Sequence, residues 1–281
     1  TASILQSKYG DVGYLIGGVL GDGSWSARLG SNEYFIVEAD EYDSAFFDKR
    51  SKFIHYFPNI LAINNIEFDH ADIFDDLTPI LKQFSHLLRT IPANGQVVFH
   101  ENDQTTKHLV DKENWFDVYS IGNDKQFYYD ETKNLFIFNG KEYDLDELPF
   151  FGEHNYKNAL MAMCLAYLCD VPYEESFQAL KNYSGVKRRL EVIFQGNTHL
   201  IYDDFAHHPT AIEAVSEAIK SKYASKMIGI IELASNTMKS GRHGNALIDS
   251  TKNFDKIYFL DHENTLNDAN SFSSLEKIID D

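Results

Sequence analysis

The sequence predicts an α/β protein, with a central, mostly parallel sheet, a small antiparallel excursion, and then a second, smaller and incomplete α/β unit. Three observations carry this reading. Short apolar runs alternate with helical patterns through much of the chain, as strand and crossover-helix units around a parallel sheet do. Between Val118 and Leu148 the pattern changes to short β segments. Beyond a Gly-containing, positively charged junction near residue 185 the alternation starts again, which divides the chain into domains at 1–184 and 185–281.

In chain order, "EYFIVEAD" (33–40) and "NILAINN" (59–65) read as buried strands that end in polar residues. "LTPILKQFSHLLRTI" (77–91) reads as a helix capped by Thr78, with Pro79 in its first turn and one stripe formed by Leu77, Ile80, Leu81, Phe84, Leu87, Leu88 and Ile91. "GQVVFH" (95–100) is the next strand, and "FIFNGKEYDL" a hairpin turning at Asn139-Gly140. Helical spacing returns in "NYKNALMAMCLAYLC" and "PYEESFQALKNY". After the junction, "THLIYDDF", "PTAIEAVSEAIKSKY", "MIGIIEL" and "DKIYFLD" read as strand, helix, strand and strand, with no closing strand and helix.

Composition narrows the functions. With 43 acidic residues against 25 basic ones the net charge is −18, which argues against nucleic acid or an anionic membrane surface as partner. An anionic ligand has to be met locally, by arginines, lysines, backbone N–H groups or a metal ion. The two cysteines, Cys164 and Cys169, form neither a zinc motif nor a good disulfide, so a reducing cytoplasm fits. No apolar run approaches membrane-spanning length, and "TASILQSKYG" lacks the order of a signal peptide.

Ligands of open parallel sheets bind beyond the carboxyl ends of the strands. Two acidic turns occupy such positions: "VEADEYD", with Glu38, and "NNIEFDHADIFDD", with Asn65 and His70. If the two strands are neighbours, Glu38 and His70 face one crevice, where carboxylate oxygen suits Mg²⁺; otherwise the acids are solvated loop residues and His70 a cap. A second group is "IYDDFAHHPTAIEA", where Asp203, Asp204, His207 and His208 precede a helix N-terminus that suits a ribose or phosphate. Equally, Asp204 and Thr210 serve only as caps and the histidines lie on the surface, or the paired aspartates and histidines form a metal hydrolase site. "GVKRRLEV" supplies Lys187, Arg188 and Arg189 as a phosphate clamp or as surface ion pairs. In "GEHNYKNALMA", Asn155 and Asn158 open a helix, where an amide reads an adenine edge or serves as a cap.

Taken in this order, "VEADEYD", "NNIEFDHADIF", "GEHNYKNALMA", "GVKRRLEV" and "YDDFAHHPTAI" resemble the ATP-dependent Mur ligases of bacterial cell-wall synthesis, over essentially the whole chain. "SARLG", "AFFDKRSKF", "EFDHADIFDD" and "SNTMK" resemble the branch of that family that acts in peptidoglycan recycling. That branch joins UDP-N-acetylmuramate to the tripeptide L-alanyl-γ-D-glutamyl-meso-diaminopimelate. The resemblance implies a central ATPase domain over 1–184 and a Rossmann-like C-terminal domain over 185–281. It also implies ATP and Mg²⁺ as cofactors and the bacterial cytoplasm as location.

By the same resemblance Glu38 and His70 hold magnesium, Asn65 lies beside the nucleotide phosphates, and Asn155 and Asn158 lie beside adenine. Arg189 reaches the γ-phosphate, Asp203 or Asp204 the ribose, and His207 and His208 the reacting groups. Ser235, Asn236, Thr237 and Lys239 handle diaminopimelate, although "ELASNTMK" has Leu233 and Ala234 where the family pattern leads one to expect Pro and Arg. The family's Gly-Lys-Thr phosphate loop and N-terminal sugar domain are expected to be missing, because the chain begins at "TAS". It is also expected to stop at "LEKIIDD", before the last elements of its second domain. This reading makes the chain a fragment without activity of its own. Two alternatives stay open: a ligase that adds L-alanine to the same sugar nucleotide, and a nucleotide-binding fragment without turnover.

Overall fold

In the computed structural model the described residues are 1–68, 73–74, 76–113, 115–122, 126–239, 241, 243–262 and 271–272. They form two compact units, one made of Thr1–Phe68 with Asp76–Lys187, the other containing Arg188–Asp281.

The first unit opens with helix α1 (Ala2–Tyr9) and a small sheet of β1 (Gly13–Leu15), β2 (Ala27–Arg28) and β3 (Phe35–Val37), in the order β2-β1-β3. β1 runs parallel to β3, with Gly13 opposite Phe35 and Leu15 opposite Val37. Two glycines make the close approach around this pair. Gly30 takes φ 69, where a Cβ would lie 2.7 Å from the Val12 carbonyl carbon, and a Cβ on Gly13 would run into the Phe35 ring. β3 was expected to be buried, but Phe35 is half exposed. A hairpin of β4 (Asp43–Ala45) and β5 (Asp48–Ser51) follows, and it carries Phe46 and Phe47 at its tip, 93% and 91% exposed.

The parallel sheet is β6 (Ile60–Ile63), β7 (Gln96–His100) and β8 (Asp117–Ile121), in the order β6-β7-β8. Helix α2 (Leu77–Leu88) crosses between the first two and buries Ile80, Phe84, Leu87 and Leu88, four members of the predicted stripe. Its cap is Asp76, whose carboxylate accepts the Thr78 N–H at 2.7 Å, rather than Thr78 itself. Helix α3 (Gln104–Val110), capped by Asp103, crosses between the second pair. Because β8 pairs in parallel with β7, the antiparallel excursion is confined to β9 (Phe127–Asp130), β10 (Leu135–Phe138) and β11 (Lys141–Asp144). The predicted turn is present, with Asn139 at φ 47 and Gly140 at φ 80.

Helix α4 (Glu153–Tyr167) lies over β6, β7 and β9, and α5 (Tyr173–Lys181) packs on it. The core here is aromatic: Phe136 and Phe138 are fully buried, and the Phe138 ring stacks on Tyr173 at 4.6 Å. Helix α1 docks against α4 and α5 through Ile4 and Leu5, with Tyr9 Oη donating to the Cys169 carbonyl at 2.5 Å and Lys8 paired with Glu175.

The second unit starts with an antiparallel pair, β12 (Glu191–Gln195) and β13 (Leu200–Asp203), bulged between Val192 and Phe194. Thus part of the charged junction read from sequence is a strand. Helix α6 (Pro209–Lys222) leads to a parallel sheet of β14 (Ile228–Glu232), β15 (Lys256–Leu260) and β16 (Ser271–Phe272). Short helices α7 (Asn236–Lys239) and α8 (Asn245–Asp249) fill the β14 to β15 connection. β16 is a third strand that the apolar pattern did not disclose. Ile212, Leu233, Met238, Leu247 and Phe259 form this unit's core. Among the described residues no helix is long and apolar enough to cross a membrane.

Candidate functional site

Glu38 is the first residue past β3, exposed, with its N–H donating to the Leu15 carbonyl at 2.8 Å. Its Oε2 accepts the Gly17 N–H at 2.8 Å, so the carboxylate is held across the carboxyl ends of the two parallel strands β1 and β3. Glycine at 17 allows this approach, since a Cβ there would stand 3.3 Å from Glu38 Oε1. Other acids of "VEADEYD" are used structurally. Asp40 accepts the Tyr42 N–H and pairs with Lys52 at 3.0 Å, and Asp43 pairs with Lys49 at 2.7 Å. β3 is hydrogen-bonded to β1, and β6 to β7. His70, expected to share a metal with Glu38, lies outside the described residues.

A second cluster gathers at the carboxyl ends of β6 and β7, under the first turns of α4. Asn64 Nδ2 donates to Asn158 Oδ1 at 2.8 Å, and His100 Nε2 lies 3.2 Å from Asn64 Oδ1. The two predicted amides, Asn155 and Asn158, are three residues apart and share a helix face. Asn155 Nδ2 donates to the Phe151 carbonyl at 2.9 Å, and Asn65 Nδ2 to Glu67 Oε1 at 3.0 Å. Burial holds the His100 imidazole below the usual histidine range, and the Lys157 charge adds to this against an opposing pull from Asp103. Sequence reasoning missed Asn64 and His100. The rule that singled out Glu38 would have found His100, the last residue of its strand.

The third cluster lies in the second unit. Arg188 and Leu190 both take left-handed φ, 57 and 49, on either side of Arg189. This backbone is held by Asp204, whose Oδ2 accepts the Leu190 N–H at 2.7 Å and whose Oδ1 accepts the Ala206 N–H at 2.8 Å. Asp203 pairs with Arg188 at 3.4 Å. The Arg188 and Arg189 guanidinium carbons lie 5.0 and 5.9 Å from the centroid of the same ring, Phe205. His207 Nδ1 lies 2.9 Å from the Phe205 carbonyl, which can only accept, so Nδ1 carries the proton and Nε2 is left as an acceptor. His208 Nδ1 accepts the Thr210 N–H at 3.3 Å and caps α6, the task the sequence gave to Asp204 or Thr210. Arg189, Asp204 and His207 therefore lie on two loops that Asp204 ties together, with Asp203 at the end of β13. Their side chains do not converge as metal ligands, and among the described residues no three His, Cys, Asp or Glu are placed to hold a metal ion. The four residues of the hydrolase reading serve instead as an ion-pair partner (Asp203), a brace (Asp204), a backbone contact (His207) and a cap (His208).

Of the expected diaminopimelate group, Ser235 Oγ accepts the Met238 N–H at 3.2 Å and caps α7, and Thr237 is buried at 3% exposure. Asn236 and Lys239 are the first and last residues of that helix. Leu233, at one of the two positions that departed from the family pattern, is a core residue.

Residues 26–166 match the Mur ligase middle domain, and residues 188–280 the Mur ligase, glutamate ligase domain. The fold and these two matches define the class: the chain belongs to the Mur ligase family. Within it, the chain is 42% identical over 258 residues to the UDP-N-acetylmuramate–L-alanyl-γ-D-glutamyl-meso-2,6-diaminoheptandioate ligase of Haemophilus influenzae, covering 89% of this chain and 57% of that protein. Identity to the UDP-N-acetylmuramate–L-alanine ligase of Hydrogenobaculum is 32% over 276 residues, or 94% of this chain and 59% of that one. The crystal structure of a murein peptide ligase from Psychrobacter arcticus matches with a TM-score of 0.71 at 32% identity, over 99% of this chain and 67% of that chain. The chain spans a little more than half the length of the curated relatives it matches.

Proposed function

We propose that the protein to which this chain belongs is an ATP-dependent amide ligase of the bacterial cytoplasm. It joins UDP-N-acetylmuramate to L-alanyl-γ-D-glutamyl-meso-diaminopimelate in peptidoglycan recycling. The observation that carries the choice of substrate is the 42% identity to a relative named for that reaction, against 32% to one named for L-alanine. In this reading residues 1–184 are the central nucleotide-binding domain and 185–281 the C-terminal domain.

The γ-phosphoryl group of ATP passes to the lactyl carboxylate of UDP-N-acetylmuramate, giving an acyl phosphate and ADP. The tripeptide amine then adds to the acyl carbon, and the tetrahedral intermediate expels phosphate and leaves the amide. Asn155 and Asn158 read the adenine, Asp203 or Asp204 the ribose, and Asn65 lies beside the phosphates. Arg189, between two left-handed neighbours and with its guanidinium over Phe205, offsets charge on the transferring group. His207, with its Nδ1 proton on the Phe205 carbonyl, offers Nε2 to the proton released by the attacking amine. His208 orients the start of α6 next to it, and the segment of Ser235, Asn236, Thr237 and Lys239 serves the tripeptide. A carboxylate pinned at a strand end by a backbone N–H suits a hard cation, so Glu38, with His70, would hold Mg²⁺. Magnesium there would offset phosphate charge.

The test is to fuse to this chain the segment that the Haemophilus relative carries outside the matched span. The fusion is then assayed with ATP, Mg²⁺, UDP-N-acetylmuramate and either tripeptide or L-alanine, with products weighed by mass spectrometry. Tripeptide is expected to be preferred. Preference for alanine would select the second reading, and no amide from either amine would overturn both.

A further inference from the structure

Asn64, just past the end of β6, His100, the last residue of β7, and Asn158 of α4 meet in one hydrogen-bonded row. In the structure the donors and acceptors along it run in one order. Asn64 turns its amino group to Asn158 Oδ1, so its own Oδ1 faces His100. An amide oxygen only accepts, so His100 Nε2 carries the proton. With Oδ1 of Asn158 turned toward Asn64, its Nδ2 is on the other side of the amide. The reverse order is equally self-consistent: a proton on Nδ1 of His100 instead would invite the Asn64 amino group, and both amides would turn over.

We propose that His100 is a positioning residue that, through Asn64, fixes which end of the Asn158 amide faces a bound base and so sets the preference for a 6-aminopurine over a 6-oxopurine. The proposal rests on the reading of Asn158 as an adenine-side residue. The chemistry follows from the bases. Adenine presents N6–H donors beside the N1 acceptor, and hypoxanthine reverses both, with an O6 acceptor beside an N1–H donor. An amide presents one donor and one acceptor side by side, so one orientation matches adenine and the flipped orientation matches hypoxanthine. A freely turning amide would read neither well. Two effects support a neutral ring at His100: burial and the Lys157 charge both oppose a second proton, against the weaker pull of Asp103.

Three substitutions separate the outcomes, made in the fused protein described above. Asn64→Asp leaves only acceptors at the centre of the row, so Asn158 must turn its amino group toward residue 64. The ratio of ATP to ITP affinity, followed by NMR titration with Mg²⁺, should then fall by about 10-fold, the range expected for one mismatched polar contact. His100→Phe removes the lock and should lower the same ratio, whereas His100→Gln keeps an N–H donor at that place and should restore it. In the unmutated chain, long-range ¹⁵N–¹H spectra should show the His100 proton on Nε2, a readout that needs no variant to fold. A proton on Nδ1, or an ATP to ITP ratio unmoved by both Asn64→Asp and His100→Phe, overturns the relay. Failure of the unmutated fused protein to bind either nucleotide, or an ATP affinity indifferent to Asn158→Ala, instead overturns the adenine-side reading beneath it.

Discussion

Asp204 accepts the backbone N–H of Leu190 at 2.7 Å across fourteen residues of sequence, while its second oxygen holds Ala206. Left-handed φ at two non-glycine residues costs roughly 1–2 kcal/mol apiece, so the loop around Arg189 needs such a brace. Asp204→Ala should therefore lower the stability of the second unit by about 1–3 kcal/mol, the usual cost of losing charge-assisted acceptors. Asp204→Asn, which keeps one acceptor, should lose less. Urea unfolding followed by circular dichroism measures both, and an unchanged midpoint for the alanine variant would remove the brace.

Glu38 allows fold and charge to be separated. Glu38→Gln retains an oxygen for the Gly17 N–H but no negative charge. Its melting temperature should stay within about 2 °C of the unmutated chain, since an exposed charge contributes little. Its Mg²⁺ affinity in the presence of ATP should drop by at least ~10-fold, as expected for loss of a ligand carboxylate. Calorimetric titration decides, and equal magnesium binding by both proteins would take Glu38 out of the metal site.

Gly23 and Gly30 make a matched pair, since both take positive φ, 80 and 69. Only Gly30 is crowded, with the Asp11 carbonyl oxygen 2.8 Å from a hypothetical Cβ, while nothing lies within 4 Å of the equivalent position at Gly23. Gly23→Ala should cost about 1 kcal/mol, the backbone strain alone. Gly30→Ala should cost roughly 2–4 kcal/mol, because backbone must move as well. Equal urea midpoints for the two variants would contradict the close approach around β1.

Both thiols are buried and unpaired with each other. Burial pushes Cys164 up to about 12 and Cys169 up to about 11. At pH 8 iodoacetamide should leave both unmodified in the folded chain and label both after urea is added. Intact mass gives the count, and fast alkylation of either in the native protein would show that the α4 end opens readily.

His100 gives a pH dependence of known sign. Its folded-state pKa lies below the ordinary value of 6.5. Below about pH 6.5 the unfolded chain takes up a proton that the folded chain still refuses. Stability is therefore lost as pH falls, until the folded ring protonates as well. The difference in unfolding free energy between His100→Gln and the unmutated chain should shift in favour of the variant between pH 7 and pH 5. A constant difference would mean that the ring is not shielded.

The parallel strands at 60–63 and 96–100 and the hairpin at Asn139-Gly140 were legible because each rests on a local rule: an apolar run bounded by polar residues, or a turn whose two residues tolerate positive φ. β16 was not legible, since two residues carry no periodicity. The antiparallel β12 was hidden because its neighbours Arg188 and Arg189 read as a charged junction. At the candidate site, positions were easier to foresee than partners. Asp204 and His208 were recognised as polar residues before a helix, but the brace to Leu190 and the cap on Thr210 depend on a loop fourteen residues away and on a ring rotation, which no spacing encodes.

Helix α1 forms its ion pair with a residue 167 positions further along the chain and its Tyr9 bond with one 160 positions away. During synthesis at roughly 5–20 residues per second, Ile4 and Leu5 therefore wait about 10–30 s for the surface that will cover them. In that interval helix α1 is an apolar segment without a home, open to a chaperone or to another nascent chain. The first unit is thus sewn shut from its far end, and the ribosome sets the earliest moment at which this can happen.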